Sequence, residues 1–414
     1  MPDWAHFGAH RWGREPALLP APAVVAPERA HRALTEAAAP FRDGTRFRSL
    51  PDVRFRTDGG RLRAPGGLLP AAGDRTADGY LRRLRGELPG TGWLLVAEQP
   101  LALDPVLWSA VRDELALLWS RVGWPALPVT AELTMGDRRC VRDEGLALPA
   151  EEAVLTWVLS GTLEARLWPE ERGEPPPSLG PDTEGVRTFR VRAGQMVYWP
   201  AAFRSCEVHD EGCLTLRLRV PAGPRLAAGA VKNLLAGFLE TGREKNGGVP
   251  VLPFPPPADK DGRVPVASHV EAVAQAVSAV LGGPRPARAL RVQWAARRSA
   301  AGLEPAPLPR DEAELSAVTF GSRVRRVSEV VRVPDGPGHW VWAVNGHVFR
   351  VTGGAGDKVL RGLPRGTVTS VAELCRAVGA PEGGGTVLTL LRALYRLRGI
   401  EVTGTAGGPG EEER

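Results

Sequence analysis

Between Val129 and Val220 the chain alternates short apolar runs with turn signals and shows no stretch of helical periodicity, and no other segment restricts the fold as much. VLTWVLSGTLEARLW reads as two strands meeting at Ser160-Gly161, VRTFRVRAGQMVYWP as two more meeting at Ala193-Gly194, and CLTLRLRV as a further strand. In that last run Leu214, Leu216, Leu218 and Val220 face one way while Thr215, Arg217 and Arg219 face the other. Strands spaced so closely, with no crossover helices between them, predict an antiparallel sandwich or barrel.

The flanks read differently. The first fifty residues mix Trp4, Phe7 and Trp12 with arginines and prolines and predict short helices and loops packed on a core. A helical pattern over 76–87 precedes GTGWLLVAEQ, a buried strand, and Asp104 caps a secure helix that runs to Gly123. Beyond residue 223 the chain becomes helical again at 225–240 and 266–281, with a proline-rich linker over 249–265 between the two. HWVWAVNGHVFRV is a hairpin around Asn345-Gly346, and two short helices follow it, one opened by a Ser370/Glu373 capping box. The 414 residues thus divide into an N-terminal helical and strand region (1–128), a β core (129–222), a helical region (223–332), a winged-helix-like domain (333–404) and a disordered tail (405–414).

Composition excludes more than it assigns. The basic excess, 53 Lys and Arg against 47 Asp and Glu, is too small on a chain of this length to call for nucleic acid or a membrane surface. The second of the two C-terminal helices is too crowded with leucine to present a base-reading face, which favours packing over nucleic acid. Cys140, Cys206, Cys213 and Cys375 form no CxxC, the N-terminus has no secretory core, and no apolar run reaches the ~18 residues of a membrane span. A reduced, cytoplasmic protein is the expectation.

Several segments together resemble one family. AHRWGREPALL is similar to its N-terminal signature, VLTWVLSGTLEARLW to its glycine-turn strand pair, and RAGQMVYWPAAFRSCEV to its strand pair with a glycine, an aromatic, a proline and a small residue before a histidine. The order of parts matches as well, and the resemblance is to the JmjC-type cupin oxygenases, specifically the bacterial ribosomal-oxygenase branch. It implies an α+β chain built on a double-stranded β-helix (cupin/JmjC jelly roll), with helical N-terminal and middle regions, a possible dimerisation surface on the middle helices and a C-terminal winged-helix-like domain. It also implies a non-haem iron held by two histidines and one carboxylate, with 2-oxoglutarate as co-substrate.

At the positions where the resemblance places the three iron ligands this chain has Leu148, Ala150 and Ser205, and Gln195 stands where an acidic residue is usual. Of its seven histidines only His209 lies in the β core, so a standard two-histidine site inside the barrel is not available. A shifted register would leave Asp143 or Glu144 with Glu152 and His209. The expectation is a degenerate binding or accessory protein that takes a polypeptide substrate or sits beside a peptide-modifying partner, without iron or 2-oxoglutarate. The alternative is a peptide-modifying enzyme with nonstandard ligands or metal-independent cupin chemistry, whose polar participants would come from His209, Cys206, Glu151 and Glu152. His209, in CEVHDEGC, reads as a solvated histidine in a hairpin loop. Cys206 and Cys213 read as buried thiols, and Glu151 and Glu152 as a solvated turn. Arg217 and Arg219 read as solvent-facing, or, if the register reverses, as ligands for an oxoacid carboxylate.

Overall fold

A computed structural model describes residues 2–45, 51–137, 140–143, 151–169, 185–222, 284–379 and 385–405, with positions 278 and 282. The chain separates into two compact units, Met1–Gly223 with Ala295–Arg414, and Pro224–Trp294. The expected helices at 225–240 and 266–281 and the proline-rich linker fall almost wholly outside the described residues. The C-terminal tail does too.

Two long strands organise the β core. β7 (Glu152–Pro169) and β10 (Phe203–Pro221) pair antiparallel along nearly their whole length. β7 pairs with β9 (Gln195–Trp199) through Val154–Trp157 and with β8 (Arg187–Arg192) through Thr162–Leu167. β10 does the same with β5 (Thr130–Asp137) through Cys213–Arg219 and with β6 (Cys140–Asp143) through Cys206–His209. Each long strand therefore leaves one set of neighbours for another part-way along, which closes the sheet over itself as a double-stranded β-helix. β1 (Ala17–Pro20) extends one edge beside β9, and β4 (Trp93–Glu98), β2 (Asp52–Thr57) and β3 (Gly60–Leu62) extend the other beyond β5.

The changeover lies at a bulge where the sequence suggested two turns. Ser160-Gly161 is not the end of a strand, and neither is Asp210-Glu211-Gly212; both lie inside continuous strands. Gly161 has φ 72°, and a Cβ there would stand 2.6 Å from the backbone of Cys213, so only glycine lets the two strands cross so closely. Opposite it, Glu211 and Gly212 also take positive φ, and the register shifts between Asp210 and Leu214.

Strand alternation then sorts the side chains. One face carries Trp93, Leu95, Leu133, Met135, Leu155, Trp157, Leu214 and Leu216 and is buried under helices α1 (Trp4–His10), α2 (Pro27–Arg42), α3 (Ala77–Glu87) and α4 (Pro105–Val122). The other face lines the barrel and holds a smaller apolar cluster that includes Val158, Leu163, Ala165, Leu167, Val191 and Trp199. The N-terminal region departs from the expectation of short helices only, because α2 is sixteen residues long, with a buried face of mostly small residues at Ala30, Ala33, Leu34, Ala37 and Ala38. Alanine helices well but adds little hydrophobic contrast, so that face is faint in the sequence.

The C-terminal part of the first unit contains α5 (Pro284–Ser299) from Ala295 onward and two three-stranded sheets. One sheet is β15 (Val368–Ser370), β11 (Ser322–Arg326) and β16 (Ile400–Thr405), and the other is β12 (Val331–Pro334), β13 (His339–Val344) and β14 (His347–Thr352). The hairpin turn is Asn345-Gly346, both at positive φ as its sequence requires. Helices α6 (Ala355–Gly362), α7 (Val371–Val378) and α8 (Gly385–Arg396) complete this part, and the Ser370/Glu373 capping box forms at the head of α7.

Candidate functional site

The barrel interior is polar where β10 crosses it twice. Register places Ser205, Glu207 and His209 across from Leu167, Ala165 and Leu163, so all six face inward. Beyond the bulge Thr215, Arg217 and Arg219 also face inward, with Arg217 directly between Thr156 of β7 and Glu132 of β5. The bulge folds the two halves of β10 towards each other, and the Arg217 guanidinium meets the Glu207 carboxylate across the interior. His209 Nε2 lies 3.5 Å from the same carboxylate. These three groups are almost fully enclosed, at 1%, 1% and 0% exposure for Arg217, Glu207 and His209.

A buried guanidinium needs an anion and a wall that tolerates its charge. Glu207 supplies the first, and the indole of Trp199, 5.6 Å from the guanidinium carbon, supplies the second. Towards the rim a ladder of charges continues. Arg219 lies 3.3 Å from Glu152 and 3.9 Å from Glu132, and Glu132 accepts a hydrogen bond from Thr134 Oγ1 at 3.2 Å. Glu98, beside Glu132 on β4, is paired with Arg54 at 2.6 Å. Burial, together with Glu132, holds the Glu98 carboxyl above its ordinary range against the pull of Arg54.

The arrangement is held from outside by two further groups. Asp137, buried at the end of β5, accepts hydrogen bonds from Arg85 Nε at 2.8 Å and Nη2 at 3.1 Å and from the amide of Gly212 at 3.0 Å, and so ties α3 to the bulge. Gly136 leaves room for His209: a Cβ on it would lie 2.8 Å from the histidine Cβ and 2.7 Å from Leu94 Cδ1.

Several expected environments are corrected. His209 is not in a solvated loop; it is an enclosed residue of a continuous strand, because Asp210-Glu211-Gly212 forms a bulge rather than a hairpin. Arg217 is not solvent-facing, and lines the barrel with the threonines of its own face. Arg219 is part-exposed at the rim. Glu152 opens β7 at the rim as Arg219's partner, with Glu151 just before it. Cys206 and Cys213 are buried, and alternation turns Cys206 away from Glu207 and His209. Burial, reinforced by Glu207, Asp210 and Glu211, pushes the Cys213 thiol well up, which suits neither a nucleophile nor a metal ligand. The four polar candidates His209, Cys206, Glu151 and Glu152 therefore do not converge on one point. Leu148, Ala150 and Glu144 lie outside the described residues, as does the side chain of Asp143. Glu207 and Trp199 are the residues that sequence reasoning missed. Their signal was the alternation Ser205, Glu207, His209, which stays in phase through the strand.

The fold is shared with solved structures. That of YcfD, a ribosomal oxygenase from Escherichia coli, in complex with cobalt and 2-oxoglutarate is similar over 97% of this chain and 98% of that one, with TM-score 0.54 and 15% identity. A second crystal structure of the Escherichia coli ribosomal oxygenase YcfD gives the same coverage with TM-score 0.52 and 14% identity. This chain has the fold of the YcfD ribosomal oxygenase, a JmjC-type cupin. No protein-family model and no curated protein matches it by sequence.

The JmjC-type fold raises the question of iron. A divalent ion of this type needs two imidazoles and a carboxylate free to point at it. Here the carboxylate next to the single histidine of the β core already faces a guanidinium. Among the described residues no three His, Cys, Asp or Glu side chains are grouped to hold a metal. The donor set at β10 does not fit the ion.

Proposed function

We propose that this chain is a polypeptide-binding or accessory protein made from a hydroxylase-type cupin, in which a Glu207–Arg217–His209 cluster takes the structural place of a metal centre. The observation that carries the reading is the enclosed Arg217 guanidinium paired with Glu207. A fixed cation in the barrel neutralises the inward carboxylate and holds the two halves of β10 together, which a bound metal ion would otherwise do. Both arginines first considered for an oxoacid carboxylate, Arg217 and Arg219, have protein carboxylates as partners, and this argues against 2-oxoglutarate as well. Support for a polypeptide partner comes from the fold, since the family it resembles acts on protein side chains.

The charged rim of Arg219, Glu152 and Glu132 is the surface such a peptide would meet first. Selection of a displayed peptide library on the purified protein is expected to enrich a shared motif, and Arg219→Glu is expected to weaken the enriched peptide about tenfold through lost charge pairing. Failure to enrich any motif, or recovery of a peptide hydroxylated (+16 Da) in dependence on 2-oxoglutarate, would overturn the reading.

A further inference from the structure

The C-terminal part of the first unit contains a second concave site, remote in sequence from the barrel strands. A pocket of about 190 Å³ is lined by Arg326, Val330, Arg332, Asp357, Leu360 and Arg361. Three guanidiniums face one carboxylate, an excess of two positive charges. Asp357 is already engaged: it pairs with Arg332 at 2.5 Å, and its backbone oxygen accepts from Arg361 Nε at 3.3 Å. Arg326, at the end of β11, has its Nε buried without a hydrogen-bond partner among the described residues. Burial, followed by the neighbouring Arg365, lowers its pKa; Glu329 opposes this and Arg332 adds to it. Arg365 itself pairs with Asp113 at 2.9 Å. Three guanidiniums held around one concavity with a single carboxylate form a site that is electrostatically incomplete without an anion.

We propose that this pocket binds the phosphoryl group of a small phosphomonoester. The charge excess matches a group carrying about −1.5 to −2 at neutral pH with three acceptor oxygens. Arg326, Arg332 and Arg361 lie on the pocket wall to receive those oxygens. Val330 and Leu360 leave an apolar wall for the carbon skeleton of the ester. The volume admits the phosphoryl group with a few attached carbon atoms.

The test is calorimetric titration of the full chain at low salt with inorganic phosphate and, separately, with glycerol 2-phosphate. Saturable binding of both is expected, tighter for the ester, whereas equal affinities would assign the site to free phosphate. Arg326→Gln is expected to weaken binding about tenfold, and Arg361→Gln, at an exposed position where folding is not at risk, to weaken it severalfold. Phosphate is also expected to raise the melting temperature of the wild-type protein more than that of Arg361→Gln. Absence of saturable binding, or an affinity unchanged in Arg361→Gln and Arg326→Gln alike, would overturn the proposal. So would tight binding of a nucleic-acid duplex that phosphate and the ester fail to displace.

Discussion

Arg217 shows how much a single side chain can depend on its counterpart. Removing one partner of an enclosed ion pair leaves the other charge stranded, at a cost of about 3–5 kcal/mol, whereas replacing both by apolar groups is often neutral. Arg217→Met alone is therefore expected to lose stability on that scale in urea denaturation, and Glu207→Leu combined with Arg217→Met to recover most of it. Strictly additive losses would show that the two charges do not act as a unit. His31 offers a second test at the same scale. It lies buried on α2 beside Tyr80, and burial holds its pKa below the ordinary histidine value, with Asp74 pulling the other way. A lowered folded-state pKa means that the neutral form stabilises the fold fully above the unfolded value of about 6.5, and that this contribution is lost as pH falls through the folded value. Wild-type stability is expected to drop more between pH 7.5 and pH 5 than that of His31→Leu, as read by urea midpoints, and equal drops would contradict the assignment. Individual residues such as Glu207 were the hardest to foresee. An Asp-Glu-Gly sequence reads as a turn unless its partner strand is known, and a turn there separates Ser205, Glu207 and His209 from Arg217 on the other half of β10.

Among the elements, the bulge shared by β7 and β10 decides the geometry of the barrel. Gly161 fits only because it lacks a Cβ at positive φ, and Asp137 clamps the opposing Gly212 amide while holding Arg85 of α3. Asp137→Ala removes an enclosed acceptor from three donors and is expected to cost about 3 kcal/mol or more. Hydrogen exchange would then accelerate at Gly212 and its neighbours on β10 before it does on β5, and uniform acceleration would place the clamp elsewhere. Elements with strong local signals were legible from the sequence: the Asp104-capped helix, the buried strand at 93–98, the Asn345-Gly346 hairpin and the Ser370 helix all occur. The β2–β3 hairpin was not anticipated, and the two long strands were each divided, because a bulge and a turn use the same residues. Only long-range pairing tells them apart.

At the scale of the molecule, the barrel and the C-terminal part of the first unit are joined by a polar bolt. Arg112 of α4 is buried and donates to Ser328 Oγ at 2.8 Å and to Asn345 Oδ1, while Asn345 Nδ2 donates to the carbonyls of Leu397 at 2.8 Å and Arg398 at 3.0 Å. Trp119, two turns further along the same face of α4, donates to the Ala301 carbonyl at 2.8 Å. Arg112→Met is expected to strand the Ser328 and Asn345 acceptors, lowering stability by about 2–4 kcal/mol and opening the segment around 305–330 to limited proteolysis. Unchanged cleavage would show that the apolar contacts alone hold the parts together. The α+β jelly roll was legible, because strand spacing survives where identity has fallen to 15%. No helix among the described residues is long and apolar enough to cross a membrane. In the barrel an arginine–glutamate pair and one histidine meet, and we propose that they replace a metal centre. The most direct measurement is an anaerobic titration of the folded protein with ferrous iron and 2-oxoglutarate, followed by visible absorption. The account predicts no charge-transfer band in the wild-type protein, and the appearance of a saturable band would contradict it.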